Sequence, residues 1–223
     1  MTGFENSSNG HSDGSGLPRA PRGFEHINRY WDRQNQAYAA KITPGEFYIS
    51  ITSEIITTVL GSCVAACIRD TDTGVGGMNH FMLPSASHRS SEAWGDTPVG
   101  AATRYGNVAM ERLINAVLVN GGKRENLEVK VFGGAKVLDI DTDVGQRNIE
   151  FVMEYLKAEG YPLEAFNVGG QVPRKILFYP DTGRVRLKKL YNLRNQTIKE
   201  REQVYGKLLD GQTIQGEMTL FED

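Results

Sequence analysis

The chain of 223 residues is poor in the residue types that most often build reactive or metal-binding sites, because it has only two cysteines and four histidines. It contains no CxxC and no HExxH spacing, so the sequence gives little support to a metal site. Two cysteines without a secretory signal indicate reduced thiols rather than a disulfide framework. We therefore expect no metal, no cofactor and a cytoplasmic location.

Long apolar runs and a strong charge of one sign are also missing. No run of about 18 or more apolar residues occurs, which argues against a transmembrane helix and direct membrane insertion. The formal net charge is only -2, so no overall basic field draws the chain to nucleic acid or to a membrane surface. The composition, with 39% hydrophobic and 23% charged residues, is that of an ordinary globular protein.

What the sequence does contain divides it into four segments. Residues 1–23 are rich in Gly, Ser, Asn and Pro and predict a disordered extension. Residues 24–42 predict a helical segment. Residues 43–190 mix strands and helices without strict βαβ alternation, which predicts one α/β domain, a layered sandwich with a mixed β-sheet. Residues 191–223 predict a C-terminal extension with one weak helix.

Several elements of the central segment follow from its apolar patterns. Two short apolar strands are predicted at 63–69 and 75–83, and a long polar loop at 85–102, of a length that is usually functional. Helices are predicted at 103–122 and around 149–156, where apolar residues recur at i, i+3, i+4 and i+7. Further strands are predicted at 127–133, 174–179 and 184–190.

Cys63 and His80 lie on the two neighbouring apolar strands. If these strands form a hairpin closed by residues 70–73, Cys63 faces His80 directly, with Cβ atoms about 4.5–5.5 Å apart. A neighbouring imidazolium lowers the pKa of a thiol, and the thiolate can then attack an acyl carbon while the imidazolium protonates the leaving group. Spacing alone leaves the alternative open that both are ordinary core residues, since free cysteines are commonly buried and inert.

Three further positions complete the candidate site. Thr57, six residues before Cys63, is predicted to orient the imidazole ring, whereas Thr58 points the other way in an extended chain. Gly61 and Ser62 allow a sharp turn, whose backbone N–H groups are candidates to bind an oxyanion. Cys67 is predicted to be a core residue.

Longer motifs carry a resemblance to a known family. The stretches TVLGSCVAACIRD, GVGGMNHFMLP, VFGGAKVL and VGGQVPRKILFYPDTGRV follow one another in this order. Together they resemble the CheD family, the chemoreceptor glutamine deamidases of bacterial chemotaxis, over about residues 40–190. The combination is far more specific than the Gly-Ser-Cys turn alone, and it favours the catalytic interpretation of Cys63 and His80.

The resemblance implies an enzyme that hydrolyses glutamine side-chain amides on methyl-accepting chemotaxis receptors, giving glutamate and ammonia through a thioester. It implies a fold similar to that of glutamine-deamidating toxins, and a Cys–His–Thr site that falls on Cys63, His80 and Thr57. The implied partner is the receptor's cytoplasmic domain, with the phosphatase CheC as a second partner of some members. The loop at 85–102 is a candidate for gripping the receptor.

Two other functions remain as alternatives. The first is a non-catalytic partner that only binds the receptor or CheC. The second is a cysteine hydrolase that acts on another amide or on a glutamyl ester.

Overall fold

A computed structural model describes residues 17–84, 98–137, 143–191 and 196–211. These ranges contain ten strands, three α-helices and one 3-10 turn at Arg124–Asn126. None of the described helices is long and apolar enough to cross a membrane. The strands are β1 (Asn28–Asp32), β2 (Ala37–Lys41), β3 (Phe47–Ser50), β4 (Ile55–Leu60), β5 (Val64–Asp70), β6 (Gly76–Asn79), β7 (Leu127–Gly133), β8 (Leu163–Val168), β9 (Arg174–Tyr179) and β10 (Arg184–Lys189). The helices are α1 (Pro98–Val119), α2 (Val144–Glu159) and α3 (Gln196–Gly211).

The strands form two five-stranded sheets, in the orders β1-β2-β4-β9-β10 and β3-β6-β5-β7-β8. Each sheet is mixed, because β2 pairs parallel with β4, and β7 pairs parallel with β8, while the other pairs are antiparallel. Helices α1 and α2 pack on the second sheet. One hydrophobic core contains side chains from both sheets, such as Ile56, Ile68, Val129 and Phe178. The prediction of a single α/β domain with mixed strand pairing is confirmed.

The helix predicted for residues 24–42 is wrong, because this segment contains the hairpin of β1 and β2. Trp31 lies opposite Tyr38 across the hairpin, and their rings meet edge to face with centroids 4.9 Å apart. Aromatic cross-strand pairs of this kind stabilise antiparallel strands. The turn is completed by Asp32, whose carboxylate accepts hydrogen bonds from the backbone N–H groups of Gln34 and Asn35.

Two other predicted boundaries differ from the structure. Helix α1 begins at Pro98, five residues before the predicted start, because proline is well suited to the first turn of a helix, where its missing N–H is not needed. The end of the predicted loop at 85–102 is therefore helical, and residues 85–97 lie outside the described residues, as do residues 1–16 of the predicted extension. Strand β8 was not predicted, since its largely exposed side chains give no alternating pattern.

The chain crosses from the first sheet to the second between β4 and β5, at Gly61, Ser62 and Cys63. The end of β7 holds this crossing in place: the N–H of Gly134 donates to the carbonyl oxygen of Cys63 at 2.8 Å, and the N–H of Ala135 donates to that of Gly61 at 2.7 Å. Gly133 lies so close that an added Cβ atom would overlap the carbonyl oxygen of Cys63. The position of Cys63 therefore depends on a glycine 70 residues further along the chain.

We expect Gly133→Ala to destabilise the protein more than Gly121→Ala does. Both glycines have a positive φ, of 115° and 104°, so both alanines incur similar backbone strain of about 1–3 kcal/mol. Only a Cβ at position 133 meets backbone atoms, whereas one at 121 meets none of the described heavy atoms within 4 Å. Urea denaturation of both variants measures the difference, and equal losses would show that the contact with Cys63 does not constrain residue 133.

Candidate functional site

Cys63 and His80 meet as predicted, although in a different register. Cys67 pairs with Met78, and an isolated bridge joins Val64 to Phe81, so the hairpin is shifted by two residues from the predicted pairing. A shift by an even number of residues keeps the same side chains on one face of the sheet. Cys63 is therefore diagonal to His80, and its Sγ atom lies within 4.8 Å of a ring nitrogen of His80. Cys67 is buried in β5, in accordance with a core role.

The residue that contacts the imidazole ring is Thr58, which corrects the expectation for Thr57. The Oγ1 atom of Thr58 lies 2.8 Å from Nδ1 of His80 and 2.8 Å from the carbonyl oxygen of Ile42. The hydroxyl of Thr57 instead donates to the carbonyl oxygen of Ile176 in β9. Alternation along β4 was expected to place Thr57 on the same side as the site and Thr58 on the other. This expectation is wrong because regular alternation ends at Leu60, so the position of Cys63 after the turn does not depend on which face of β4 a threonine occupies.

The contacts of Thr58 determine which ring nitrogen of His80 carries the proton. A hydroxyl has one hydrogen, and that of Thr58 is donated to the carbonyl oxygen of Ile42, which can only accept. Thr58 therefore accepts a hydrogen bond from Nδ1–H of His80. The proton on Nδ1 leaves Nε2 with a free lone pair, and Nε2 is buried without a hydrogen-bond partner among the described residues. Nε2 is therefore the ring nitrogen of His80 that is able to accept a proton.

The predicted anion-binding turn at Gly61 and Ser62 surrounds the carboxylate of Glu202, from α3. Oε1 accepts hydrogen bonds from the backbone N–H groups of Gly61 at 2.9 Å and Cys63 at 3.2 Å. Oε2 accepts from the N–H of Ser62 at 2.8 Å and from its hydroxyl at 2.6 Å. Successive N–H groups that point to one place form an anion-binding nest. We call the backbone N–H groups of residues 61–63 the nest.

Glu202 was not among the residues predicted for the site. A signal for it exists in the predicted C-terminal helix, which is confirmed as α3. The side chains of that helix that face the domain are spaced at i, i+4, i+7 and i+11: Ile198, Glu202, Tyr205 and Leu209. A carboxylate in the middle of an otherwise apolar helix face needs a buried partner, because an unsatisfied buried charge is costly.

Burial controls the protonation of Cys63 and His80. Cys63 is fully buried and His80 is 2% exposed. Burial raises the pKa of the Cys63 thiol well above its usual value, and the neighbouring Glu202 carboxylate raises it further. Burial lowers the pKa of His80 to about 3. The described state therefore contains a neutral thiol and a neutral imidazole, rather than the predicted thiolate and imidazolium.

Cys63, His80 and Glu202 also offer three potential metal ligands. The thiol sulfur, a ring nitrogen and a carboxylate oxygen all lie within 4.8 Å of one another, and zinc is bound by such donors. Both carboxylate oxygens, however, already accept hydrogen bonds from the nest or from the Ser62 hydroxyl. The arrangement therefore matches a hydrogen-bonded anion site better than a metal centre.

The surroundings of the site include a larger cleft next to His80. It has a volume of about 620 Å³, and its lining includes Gly45, Phe47, Tyr105 and Arg112 as well as His80. Neither Cys63 nor any described residue of α3 is among the residues that line this cleft. The hydroxyl groups of Tyr105 and Tyr205 are in contact and join α1 to α3.

The low pKa of His80 predicts a loss of stability on acidification. In the unfolded chain a histidine binds a proton below pH about 6.5, whereas in the folded protein His80 stays neutral down to about pH 3. The stability due to neutral His80 is therefore present above pH 6.5 and is lost as the pH falls below it, at up to about 1.4 kcal/mol per pH unit.

Urea denaturation of the wild type and His80→Gln between about pH 7 and pH 5 measures this contribution. The free energy of unfolding of the wild type should fall more steeply than that of the variant. Parallel pH dependences would show that the pKa of His80 is not lowered by folding.

Comparisons with known proteins identify relatives over most of the chain. A family model described as CheD chemotactic sensory transduction matches residues 82–189. A protein of Halorhodospira halophila named probable chemoreceptor glutamine deamidase CheD is 53% identical over 205 residues, which cover 92% of this chain and 94% of the relative. Relatives of the same name from Herminiimonas arsenicoxydans and Hahella chejuensis are 50% and 46% identical, over 87% and 89% of this chain and 94% and 92% of their own.

Proposed function

This chain belongs to the CheD family, and we propose that it is a cysteine-dependent deamidase, which hydrolyses glutamine side-chain amides on chemoreceptors. The observation that carries the proposal is the juxtaposition of Cys63, an imidazole with a free Nε2 lone pair, and a nest of backbone N–H groups. The names of the relatives, as chemoreceptor glutamine deamidases, support the same substrate class. Binding of the phosphatase CheC stays a prediction.

The first half of the reaction joins the substrate to Cys63. Nε2 of His80 takes the thiol proton as Sγ attacks the carboxamide carbon of the glutamine side chain. The carbonyl oxygen becomes an oxyanion, which accepts hydrogen bonds from the N–H groups of Gly61 and Cys63. His80 then gives the proton to the departing nitrogen. The C–N bond breaks, ammonia leaves, and the substrate carbonyl remains attached to sulfur as a thioester.

The second half releases the product. A water molecule gives a proton to Nε2 of His80 and attacks the thioester carbon, again with the oxyanion in the nest. The carbon–sulfur bond breaks, and the proton returns to the sulfur of Cys63. The net change is the conversion of one amide and one water into a carboxylic acid and ammonia, which exchange a proton in solution. Apart from the substrate and the water molecule, these steps use only side-chain and backbone groups of the chain.

We expect Cys63→Ala and Cys63→Ser to abolish deamidation, because each removes the sulfur nucleophile. Cys67→Ala is the matched control, since Cys67 is also a buried thiol but lies further along β5. The assay is mass spectrometry of a receptor cytoplasmic domain incubated with each variant, with glutamine-to-glutamate conversion as the readout. An inactive Cys67→Ala beside an active Cys63→Ala would refute the assignment. A wild type that binds the receptor without converting any glutamine would support the non-catalytic alternative.

We expect Thr58→Val to reduce turnover by about 10-fold to 1000-fold, which is about 1.4–4 kcal/mol in activation free energy. Valine cannot accept the hydrogen bond from Nδ1–H, so the proton of His80 is no longer confined to Nδ1. Thr58→Ser should recover most of the activity. Thr57→Val serves as the control, because it removes a hydroxyl of the same strand that bonds to Ile176 instead.

Receptor deamidation rates, with thermal melts to compare folding, test the role of Thr58. A folded Thr57→Val that is less active than Thr58→Val would restore Thr57 as the positioning residue. Full activity of Thr58→Val would show that tautomer control by this hydroxyl is unnecessary.

A further inference from the structure

We propose that α3 occupies the substrate-binding site as a built-in product analogue, in which Glu202 takes the place of the glutamate side chain that deamidation leaves behind. This inference rests on the proposed function, since it identifies the nest as the site where the substrate carbonyl reacts. It adds that the chain blocks its own active site and that a substrate must displace α3.

The hydrogen bonds of Glu202 match those expected for a bound product. Its carboxylate lies on the nest and within 4.8 Å of both reactive side chains. Oε1 accepts from the two N–H groups that would hold the oxyanion, and Oε2 accepts from the N–H and hydroxyl of Ser62. All four donors are thereby satisfied by one carboxylate. Glu202 itself is 2% exposed, so the blocked site is closed to solvent.

The nest distinguishes a carboxylate from a carboxamide. A glutamine side chain can place its carbonyl oxygen where Oε1 lies, but its NH₂ group would then meet the N–H of Ser62, and two donors cannot bond to each other. A carboxylate has no such conflict. Glutamate at position 202 is therefore the form that binds best, which is the property of a product-like inhibitor rather than of a substrate.

The backbone around the nest accommodates a helix at close range. Gly45 lies against the ring of Tyr205, where an added Cβ atom would come within 2.7 Å of the tyrosine hydroxyl. Gly206 of α3 lies next to Met82 in the same way, with 3.3 Å for an added Cβ. The site thus receives a side chain from an α-helix lying across it. A substrate glutamine carried by a helix would reach the nest along the same path.

Helix α3 buries few side chains against the domain, so a competing substrate can displace it. Of residues 197–210, only Ile198, Glu202 and Leu209 are buried, while Val204 and Leu208 are 59% and 57% exposed. Elements with few buried apolar contacts open at low free-energy cost. Because α3 is part of the same chain, its effective concentration at the site is high, so a substrate that docks through further contacts is needed to compete with it.

Removal of Glu202 should expose and activate the thiol. We expect Glu202→Ala to increase the rate at which iodoacetamide alkylates Cys63 by roughly tenfold or more. In the wild type, Cys63 reacts only in the small fraction of molecules in which α3 has left the site. The rate should also rise at lower pH than in the wild type, since the carboxylate that raises the pKa of Cys63 is gone. Glu200→Ala is the matched control, because Glu200 is an exposed glutamate on the same helix.

The same variants test competition with the receptor. Glu202→Ala should deamidate a receptor cytoplasmic domain faster than the wild type and Glu200→Ala, mainly through a lower KM. If Cys63 is alkylated no faster in Glu202→Ala than in Glu200→Ala, α3 does not block the thiol and the inference is refuted. If the variant is folded by thermal melt and is alkylated faster but loses receptor deamidation, Glu202 is needed for catalysis and its role as an inhibitor is refuted.

Glu202→Gln tests the product-analogue position directly. Glutamine at this position is a substrate in cis, so Cys63 should convert it to glutamate during expression or incubation, and peptide mass spectrometry should find glutamate at 202. Gln203, the next residue on α3, is exposed and should remain glutamine. In the double variant Cys63→Ala/Glu202→Gln, residue 202 should also remain glutamine.

Alkylation of Cys63 and deamidation of the receptor test the inference and the proposed function separately. Faster alkylation of Cys63 in Glu202→Ala supports the blocked site even where neither the wild type nor any variant deamidates a receptor. Failure of every variant to deamidate a receptor, with such faster alkylation, would refute the proposed function and leave the block intact. A Glu202→Gln protein that deamidates the receptor but retains glutamine at 202 would refute the product-analogue position.

Discussion

The convergence of the backbone N–H groups of Gly61, Ser62 and Cys63 on one carboxylate is the interaction on which the site depends. It arises because the chain leaves the first sheet at Leu60 and enters the second at Val64, with only three residues for the crossing. These three residues cannot use their N–H groups in a strand ladder and direct them instead to a single anion. The crossing is also fixed from its other side, because the N–H groups of Gly134 and Ala135, which follow β7, donate hydrogen bonds to its carbonyl oxygens.

A buried anion beside a buried thiol has a clear electrostatic consequence. The Glu202 carboxylate is stabilised by hydrogen-bond donors rather than by a cation, and it opposes a second negative charge on Cys63. The imidazole cannot offset this, because burial keeps it neutral. A carboxylate in the nest therefore adds to the effect of burial and opposes ionisation of the thiol. In the proposed reaction the negative charge passes from sulfur to the oxyanion, so the nest must be empty of any other anion when the substrate arrives.

Local patterns predicted that Cys63 and His80 lie close together, and the resemblance to the CheD family favoured their catalytic interpretation. Cys63 follows a Gly-Ser turn, and His80 lies on the next strand of the same hairpin, so an error of two residues in the register left both on one face. The choice between Thr57 and Thr58 depended on which way β4 faces, and this is set by the packing of two sheets. Glu202 lies about 140 residues from the nest, and no local pattern specifies such a contact.

The N-terminal hairpin illustrates the same distinction between local and long-range information. The spacing of its aromatic residues in the sequence is compatible with a helix. In the structure, however, Trp31 and Tyr38 pack against each other across two strands, and β2 is extended because it pairs with β4. The neighbouring Arg29 forms an ion pair with Glu54, which also accepts a hydrogen bond from Tyr48. Tertiary contacts of this kind override weak helical propensity. The elements that were predicted well, α2 and the β9–β10 hairpin, have clear periodicity or a strong turn signal of their own.

The requirement for an oxyanion site in the proposed reaction also explains why a carboxylate is a suitable inhibitor. A nest that stabilises the oxyanion of a transition state must present N–H donors at a fixed position, and those donors bind any carboxylate that fits there. The product of glutamine deamidation is such a carboxylate, so release of the product is opposed by the same donors that promote its formation. A helix of the same chain that carries a glutamate exploits this property without a separate binding site. Control of the enzyme then becomes a competition between α3 and the substrate for three backbone N–H groups.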